Sequence, residues 1–217
     1  FKDDPGVDLL SILYDHDIDP EFPAEVMKEA EAIPQEVLPE EMEGRTDLTE
    51  DITVTIDGDD SKDFDDAVSV VKDGDGWILK VSIADVSHYV TQNSALDEEA
   101  LKRGTSSYVI DKVVPMLPQL LSNGICSLNP HVIRLTNTCE MKVEKNGAVS
   151  DFKLYPSFIR SAERMTYRNV NKMLAGDKET LEQYAHIAKL IEDLRDCADA
   201  IRARRVAEGA IDFASDE

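Results

Sequence analysis

Six aspartates lie within ten residues in the segment 57–66, DGDDSKDFDD, directly after an apolar, strand-like run. Two like charges about 4 Å apart repel by on the order of 4 kcal/mol at an effective dielectric constant of ~20, so carboxylates drawn together here need a compensating cation. The segment contains no histidine or cysteine, and ligands that are all oxygen favour Mg²⁺ or Mn²⁺ over zinc. Because a Mg²⁺ ion held by a few carboxylates usually completes its shell with water and phosphate oxygens, the segment predicts phosphoryl chemistry.

The same segment also fits simpler interpretations. Most aspartate-rich turns are acidic surface loops, and such a loop suits a non-catalytic module that binds a metal ion or a basic partner. A calcium loop of the EF-hand type is excluded, because its sixth position is Lys62 instead of glycine and its twelfth is Val68 instead of glutamate.

A third interpretation is an aspartyl-phosphate phosphatase of the haloacid dehalogenase type, in which an apolar strand ends in Asp-x-Asp and the first aspartate is the nucleophile. Asp57 and Asp59 fit this pattern after Ile56. That fold needs parallel strands joined by helices, whereas hairpin signals follow the segment, so this alternative is weakened and stays open.

Alternating hydrophobicity places the aspartates at the end of a strand. Ile52, Val54 and Ile56 alternate with polar residues, which predicts a half-buried strand over 52–57. Four more strands are predicted in two hairpins: 67–71 with 77–83 around the turn 73–76, and 135–143 with 149–155 around Asn146-Gly147, with positive φ at both turn positions. The sheet is therefore predicted to be largely antiparallel.

Helices are predicted to flank this sheet, which makes the expected fold class α+β. Apolar residues recurring at three and four predict helices over 95–104, 166–174 and 179–207, and residues 113–121 are expected to form an apolar loop. A new alternating pattern begins at Ile211 and Phe213.

The first fifty residues differ from the rest in charge. Residues 1–56 carry 17 acidic and 3 basic side chains, net −14 of the total −22. Short apolar-periodic pieces at 7–13 and 22–30, separated by prolines, predict two short helices in an acidic connector over 1–50, followed by a domain over 51–217. A charge of −22 alone argues against binding a polyanion, but acidity concentrated near the N-terminus says little about a site further along.

The cysteines and the hydropathy pattern indicate the cellular compartment in which the protein works. Cys126, Cys139 and Cys197 are odd in number, far apart and without a C-x-x-C spacing, which argues against a disulfide framework or a structural zinc site and favours a reducing, cytoplasmic setting. No apolar run approaches the ~18 residues of a membrane-spanning helix, so no membrane partner is expected. The chain starts at Phe1 without a signal-peptide pattern, and we expect the native N-terminus to be missing.

Five blocks of sequence, in order, resemble the ribonuclease II/ribonuclease R family, the RNB-type exoribonucleases. The most specific is TVTIDGDDSKDFDDAV at 53–68, which resembles the catalytic signature of that family. The other four are IADVSHYV at 83–90, SALDEEALKRGTS at 94–106, PMLPQLLSNGICSLNP at 115–130 and RMTYRNV at 164–170. The resemblance extends back into DPGVDLLSIL at 4–13 and EFPAEVMKEAE at 21–31, so it covers nearly the whole chain.

The resemblance implies a processive 3′→5′ exoribonuclease that hydrolyses single-stranded RNA from its 3′ end to nucleoside 5′-monophosphates, using Mg²⁺ or in its place Mn²⁺. The four signature aspartates of the family fall on Asp57, Asp63, Asp65 and Asp66. Two-metal hydrolysis agrees with this set, since several carboxylates must hold ions about 3.5–4 Å apart. We expect Asp57 and Asp66 to be direct ligands, Asp63 a direct or water-mediated one, and Asp65 to serve the second ion or water activation.

Tyr108 and Tyr167 match family tyrosines associated with the RNA 3′ end, and a tyrosine ring offers a stacking face that tolerates any base. In the family the catalytic domain continues past the point matching Glu217, where it supplies an active-site arginine, and cold-shock and S1 domains flank it. The resemblance therefore implies that this chain is the N-terminal part of an RNB-type catalytic domain, truncated at its C-terminus, and an inactive fragment by itself.

Structural roles are expected for the remaining polar residues near these blocks. Asp59 and Asp60 fall outside the matched four and are predicted to be solvated loop charges. His88 has no metal-like partner in the sequence and is expected to pack structurally. Three arginines near the end of the last helix suit either phosphate contacts or the negative end of the helix dipole: Arg202, Arg204 and Arg205.

Overall fold

The frame of the molecule is a mixed but mostly antiparallel sheet. The computed structural model describes residues 11, 13–16, 18–109 and 112–211. Its strands are β1 (Thr46–Asp47), β2 (Val54–Asp57), β3 (Asp66–Asp73), β4 (Gly76–Ala84), β5 (Ser107–Val109), β6 (Lys112–Val114), β7 (Ile133–Val143), β8 (Val149–Arg160) and β9 (Glu163–Thr166). In this part of the chain seven strands form one sheet in the order β1-β8-β7-β4-β3-β2-β9, and β5 pairs with β6 in a separate hairpin.

The pairing confirms the predicted fold class and adds two parallel edges. The four inner pairs, from β2 through β3, β4 and β7 to β8, are antiparallel. At one edge β1 runs parallel to β8, and at the other β9 runs parallel to β2. Helices flank this sheet, so the fold is α+β with a largely antiparallel sheet, as the alternating patterns predicted.

The helices in the described residues form two groups, one before β7 and one after β9. They are α1 (Ala24–Ala32), a 3₁₀ turn (Pro39–Met42), α2 (Val86–Tyr89), α3 (Ala95–Arg103), a short π-helix (Leu120–Ile125), α4 (Tyr167–Leu174), α5 (Lys178–Gln183) and α6 (Ala188–Ala207). In the described residues, no helix is both long and apolar enough to cross a membrane.

The main core lies between one face of the sheet and the C-terminal helices. Alternate side chains of the strands, such as Val54, Val70 and Met165, share a buried cluster with Ile187 and Ile191. The alternation that predicted the strands is therefore the pattern that buries this face.

A second core joins the N-terminal helix to the rest. Val26 and Ala30 of α1 pack with Leu96 of α3 and with Leu121 and Ile125 of the π-helix. The helix predicted around 22–30 is thus present, while most of the piece at 7–13 lies outside the described residues. The division of the chain at residue 50 stays a prediction.

The prediction of one long helix over 179–207 is wrong in one respect, because the segment forms two helices. Residues 184–187 form turns between α5 and α6. In that break Ile187 is fully buried, and the Tyr184 hydroxyl accepts a hydrogen bond from Asn169 Nδ2 at 3.1 Å. Both helices face the same core, so the apolar periodicity continues across the break and the sequence pattern does not reveal it.

Two loop predictions also need correction. In the β7–β8 connection only Gly147 has a positive φ, at 78°, whereas Asn146 does not, because five residues rather than two join the strands. The segment 113–121, predicted as a loop, contributes Val113 and Val114 to β6 and begins the π-helix. Ile211 is not in a strand, and Phe213 lies outside the described residues.

Candidate active site

The aspartates gather at one edge of the sheet because of how three strands pair. Asp57 is the last residue of β2 and Asp66 the first of β3, and these strands are antiparallel neighbours with Val54 opposite Val68. We call the connection between them, residues 58–65, the aspartate loop. On the other side of β2, the parallel strand β9 places Thr166 opposite Asp57. Helix α4 therefore starts beside the aspartates.

A buried serine anchors the second half of the aspartate loop. The fully buried Ser127 Oγ accepts a hydrogen bond from Phe64 N and donates one to Lys62 O, both at 3.0 Å. The next residue, Leu128, donates its N–H to Phe64 O at 2.8 Å. The Phe64 ring is buried in a cluster that includes Leu128 and Ala84. Asp63 and Asp65 are thus the neighbours of a fixed residue.

An arginine on β9 contacts the first half of the loop. Arg164 Nη2 donates hydrogen bonds to the carbonyl oxygens of Gly58, Asp59 and Ser61, at 3.0, 2.6 and 3.3 Å. Its guanidinium lies over the Phe64 ring, 5.3 Å from the centroid. A second arginine, Arg168 of α4, forms an exposed ion pair with the Asp59 carboxylate.

The four matched aspartates are close enough to influence one another. Burial raises the pKa of Asp57, the charge of Asp66 raises it further, and Asp63 and Asp65 add to the effect, while the Arg164 charge opposes it. Burial also raises the pKa of Asp65, with added repulsion from Asp63 and Asp66. The structure therefore places Asp57, Asp63, Asp65 and Asp66 in one electrostatic cluster that the nearby arginine only partly compensates.

The donor chemistry of this cluster suits a hard divalent cation. Carboxylate oxygens are the ligands that Mg²⁺ prefers, and a positive charge would stabilise Asp57 and Asp65, whose pKa values burial and neighbouring carboxylates raise. Within the residues that the structure describes, however, no three carboxylate, imidazole or thiol groups come together as a metal site. The assignment of the four aspartates as metal ligands therefore stays a prediction.

Both predicted substrate tyrosines are exposed near the aspartates. Tyr108 lies on β5 with 71% of its surface exposed, and the charge of Asp63, together with burial and a hydrogen bond to that carboxylate, raises the pKa of its hydroxyl. Tyr167 is the first residue of α4, directly after the partner of Asp57, and 62% of its surface is exposed. Neither ring belongs to a core cluster, so the exposed part of each ring is available for stacking.

The other predicted residues have structural contacts. The exposed Asp59 pairs with Arg168, and the Asp60 side chain is exposed. His88 Nε2 lies 2.8 Å from Glu41 Oε1, and this contact joins α2 to the 3₁₀ turn. Arg204 pairs with Glu208 at 2.7 Å at the end of α6. Cys126, Cys139 and Cys197 are all free, as expected.

Sequence reasoning missed Ser127 and Arg164, the two side chains that anchor the loop. Both stand in blocks quoted for the family resemblance, 115–130 and 164–170, but nothing in their local pattern points to residues 58–65. Their contacts join positions 63 and about 105 residues apart, which only the assembled sheet brings together.

Comparison with known proteins decides the family. A model of the RNB domain matches residues 45–217. The chain belongs to the RNB-domain family. It is similar to ribonuclease R 1 of Lactococcus lactis, with 53% identity over 97% of this chain and 26% of the relative. It is also similar to ribonuclease R of Thermotoga maritima, with 50% identity over 99% of this chain and 31% of the relative.

A solved structure agrees in fold. Mycoplasma genitalium RNase R in complex with ribose-methylated single-stranded RNA superimposes with a TM-score of 0.90 at 36% identity, over 99% of this chain and 33% of that one. The chain thus spans about a quarter to a third of the length of these relatives. Neither the phosphatase interpretation nor the non-catalytic acidic module is favoured by these matches, and the antiparallel pairing of β2 with β3 does not suit the phosphatase fold.

Proposed function

We propose that the protein containing this chain is a processive 3′→5′ exoribonuclease that hydrolyses single-stranded RNA to nucleoside 5′-monophosphates. The observation that carries the proposal is the cluster of four aspartates at the edge of an RNB-domain sheet, flanked by two exposed tyrosines. The single-stranded RNA bound to the Mycoplasma relative supports the same class of substrate.

In this proposal each group has a distinct task. Asp57 and Asp66 would hold a divalent cation directly, Asp63 directly or through water, and Asp65 would serve a second cation or the attacking water. When bound, such cations lower the pKa of a water molecule and stabilise charge on the leaving 3′-oxygen. Tyr108 and Tyr167 would stack on bases at the RNA 3′ end, which places the terminal phosphodiester beside the aspartates without selecting a sequence.

The proposal includes parts that lie outside this chain. An arginine further along the catalytic domain, together with cold-shock and S1 domains, would supply the basic surface that a segment of charge −22 lacks. This segment alone would then be inactive. A cytoplasmic location fits the three free cysteines.

The experiment is digestion of 5′-labelled single-stranded oligo-RNA by the full-length protein that contains this chain, with and without Mg²⁺. Asp65→Asn should reduce kcat at least about 100-fold while RNA binding is retained, because the substitution keeps the size of the side chain and removes a charge needed in the transition state. Asp60→Asn is the matched control, since it removes the same charge from an exposed position of the same loop, and it should stay within about threefold of wild type. Near wild-type cleavage by Asp65→Asn would contradict the assignment.

A further inference from the structure

Arg164 occupies an unusual position for a residue of a sheet edge. It lies on β9 opposite Thr55 of β2, two residues before the pair that places Thr166 beside Asp57. From there its side chain reaches over the end of β2 to the aspartate loop. One nitrogen, Nη2, is within hydrogen-bonding distance of three carbonyl oxygens, at Gly58, Asp59 and Ser61.

The partners of Arg164 are backbone atoms, although carboxylates surround it. Among the described residues, Arg164 forms no ion pair within 4 Å, whereas the neighbouring Arg168 pairs with the Asp59 carboxylate. A contact to three carbonyls within four residues depends on the path of the backbone and not on any side chain of the loop. These contacts of Arg164 therefore depend on the backbone conformation of the loop.

The guanidinium also contacts the second half of the loop. It lies over the ring of Phe64, which is 4% exposed and anchored by Ser127 and Leu128. Arg164 thus bridges the two halves: its Nη2 contacts residues 58–61, and its guanidinium lies over the ring of Phe64, between Asp63 and Asp65. A planar, delocalised guanidinium suits both contacts at once, whereas a lysine ammonium is a compact point charge without a planar face.

Among the described residues, the first half of the loop has three other contacts. They are the backbone hydrogen bond from Ser61 N to Gly58 O at 3.2 Å, the hydrogen bond from Ser61 Oγ to Asp63 Oδ1 at 3.4 Å, and the exposed ion pair between Asp59 and Arg168. Four aspartates lie within residues 58–65, with Asp57 and Asp66 at its ends, so mutual repulsion favours an expanded loop. Carbonyl oxygens that point together toward one spot add to this tendency unless a donor satisfies them.

We propose that Arg164 is a positioning residue that holds the aspartate loop in the turn that sets Asp63 and Asp65 relative to Asp57 and Asp66. It acts through the backbone of the loop and contacts no substrate. The structural part of this inference stands on the contacts alone, whereas its consequence for catalysis rests on the proposed function.

The test uses three variants of the full-length protein that contains this chain. Arg164→Lys keeps the charge and removes the planar fork, Arg164→Gln removes the charge as well, and Arg168→Gln removes a charge that contacts the same loop only through an exposed ion pair. The first readout is hydrogen–deuterium exchange of the peptide spanning 57–66. We expect exchange at least about tenfold faster in both Arg164 variants and unchanged in Arg168→Gln, with similar exchange in all three for peptides from β7 and β8.

The second readout is cleavage of single-stranded oligo-RNA. Both Arg164 variants should lower kcat at least about tenfold with KM changed less than threefold, because positioning of the aspartates and not RNA binding is lost. Failure of Lys to restore kcat distinguishes positioning from simple charge. Wild-type-like activity of Arg164→Lys, or equal losses in the Arg164 and Arg168 variants, would show that charge alone matters for turnover and would overturn the link between loop position and catalysis.

The two readouts separate this inference from the proposed function. Unchanged loop exchange in the Arg164 variants overturns the inference whatever the activity. Faster loop exchange with unchanged kcat overturns the link to catalysis. If the wild-type protein itself does not degrade RNA while Arg164→Lys loosens the loop, the proposed function fails and the structural role of Arg164 is supported.

Discussion

The carboxylates that suit a divalent cation destabilise the fold when they are ionised without one. Burial first, and then the charges of neighbouring aspartates, raise the pKa of Asp57 and Asp65 above their ordinary value. A raised pKa means that the folded chain binds a proton more tightly than the unfolded chain. The free energy of unfolding therefore falls as the pH rises from about 3.8 through the folded-state pKa.

Asparagine at position 65 should relieve this repulsion. In EDTA at pH 7, Asp65→Asn in the 217-residue chain should raise Tm by about 1–3 °C, because the wild-type carboxylate is ionised and only partly screened by solvent. Below pH 3.8 both the folded and the unfolded wild-type carboxyl are protonated, so the difference should disappear. Thermal melts followed by circular dichroism at the two pH values measure this, with Asp60→Asn as an exposed control. A lower Tm for Asp65→Asn at pH 7 would mean that the carboxylate stabilises the loop.

Among the secondary-structure elements, the β7–β8 hairpin connects the sheet to the C-terminal helices. The β7–β8 turn touches α6, and a Cβ atom at Gly147 would overlap the backbone carbonyl of Ala200. Gly147 also has a φ of +78°, which L-residues with a side chain rarely adopt. The contact fixes the position of the hairpin on the helix that covers the main core.

Gly147→Ala should lower the free energy of unfolding by about 2–4 kcal/mol, since it adds both backbone strain and overpacking. Gly74→Ala in the β3–β4 turn is the matched control, because Gly74 has a φ of +56° but no atom within 4 Å of the added Cβ. The control should lose only about 1–2 kcal/mol. Urea unfolding of both variants compares the two costs, and equal losses would show that the contact with α6 contributes nothing.

The elements show which parts of the fold a sequence reveals. The hairpin strands were predictable because alternation is local and one face of each strand is buried. The parallel edges made by β1 and β9 were not, because strands of two and four residues carry little pattern. At the site, the aspartates were found from their density and spacing, whereas the anchors Ser127 and Arg164 depend on contacts between distant positions.

At the scale of the whole molecule, the described chain presents a surface that suits packing better than RNA binding. Large apolar side chains stay exposed on β4 and β8: Ile83 is 47%, Phe152 62% and Leu154 72% exposed. The net charge of −22 repels a polyanion at long range, although −14 of it lies in residues 1–56 and bears little on the aspartates themselves.

The 217-residue chain should therefore bind Mn²⁺ weakly and not degrade RNA. Positioning of substrate can lower a barrier by about 7–11 kcal/mol, and the chain matches only 26% and 31% of its ribonuclease R relatives, so we expect a rate at least about 10³-fold below that of the full-length protein. Assays on 5′-labelled single-stranded RNA at equal molar concentrations of the chain and the full-length protein measure the rate, and calorimetry with Mn²⁺ measures binding. Asp57→Asn in the same chain is the control, and it should weaken Mn²⁺ binding if the heat comes from the aspartate cluster. Release of 5′-monophosphates by the chain at a rate comparable with the full-length protein would show that these residues alone position the RNA, and that the rest of the protein is dispensable for chemistry.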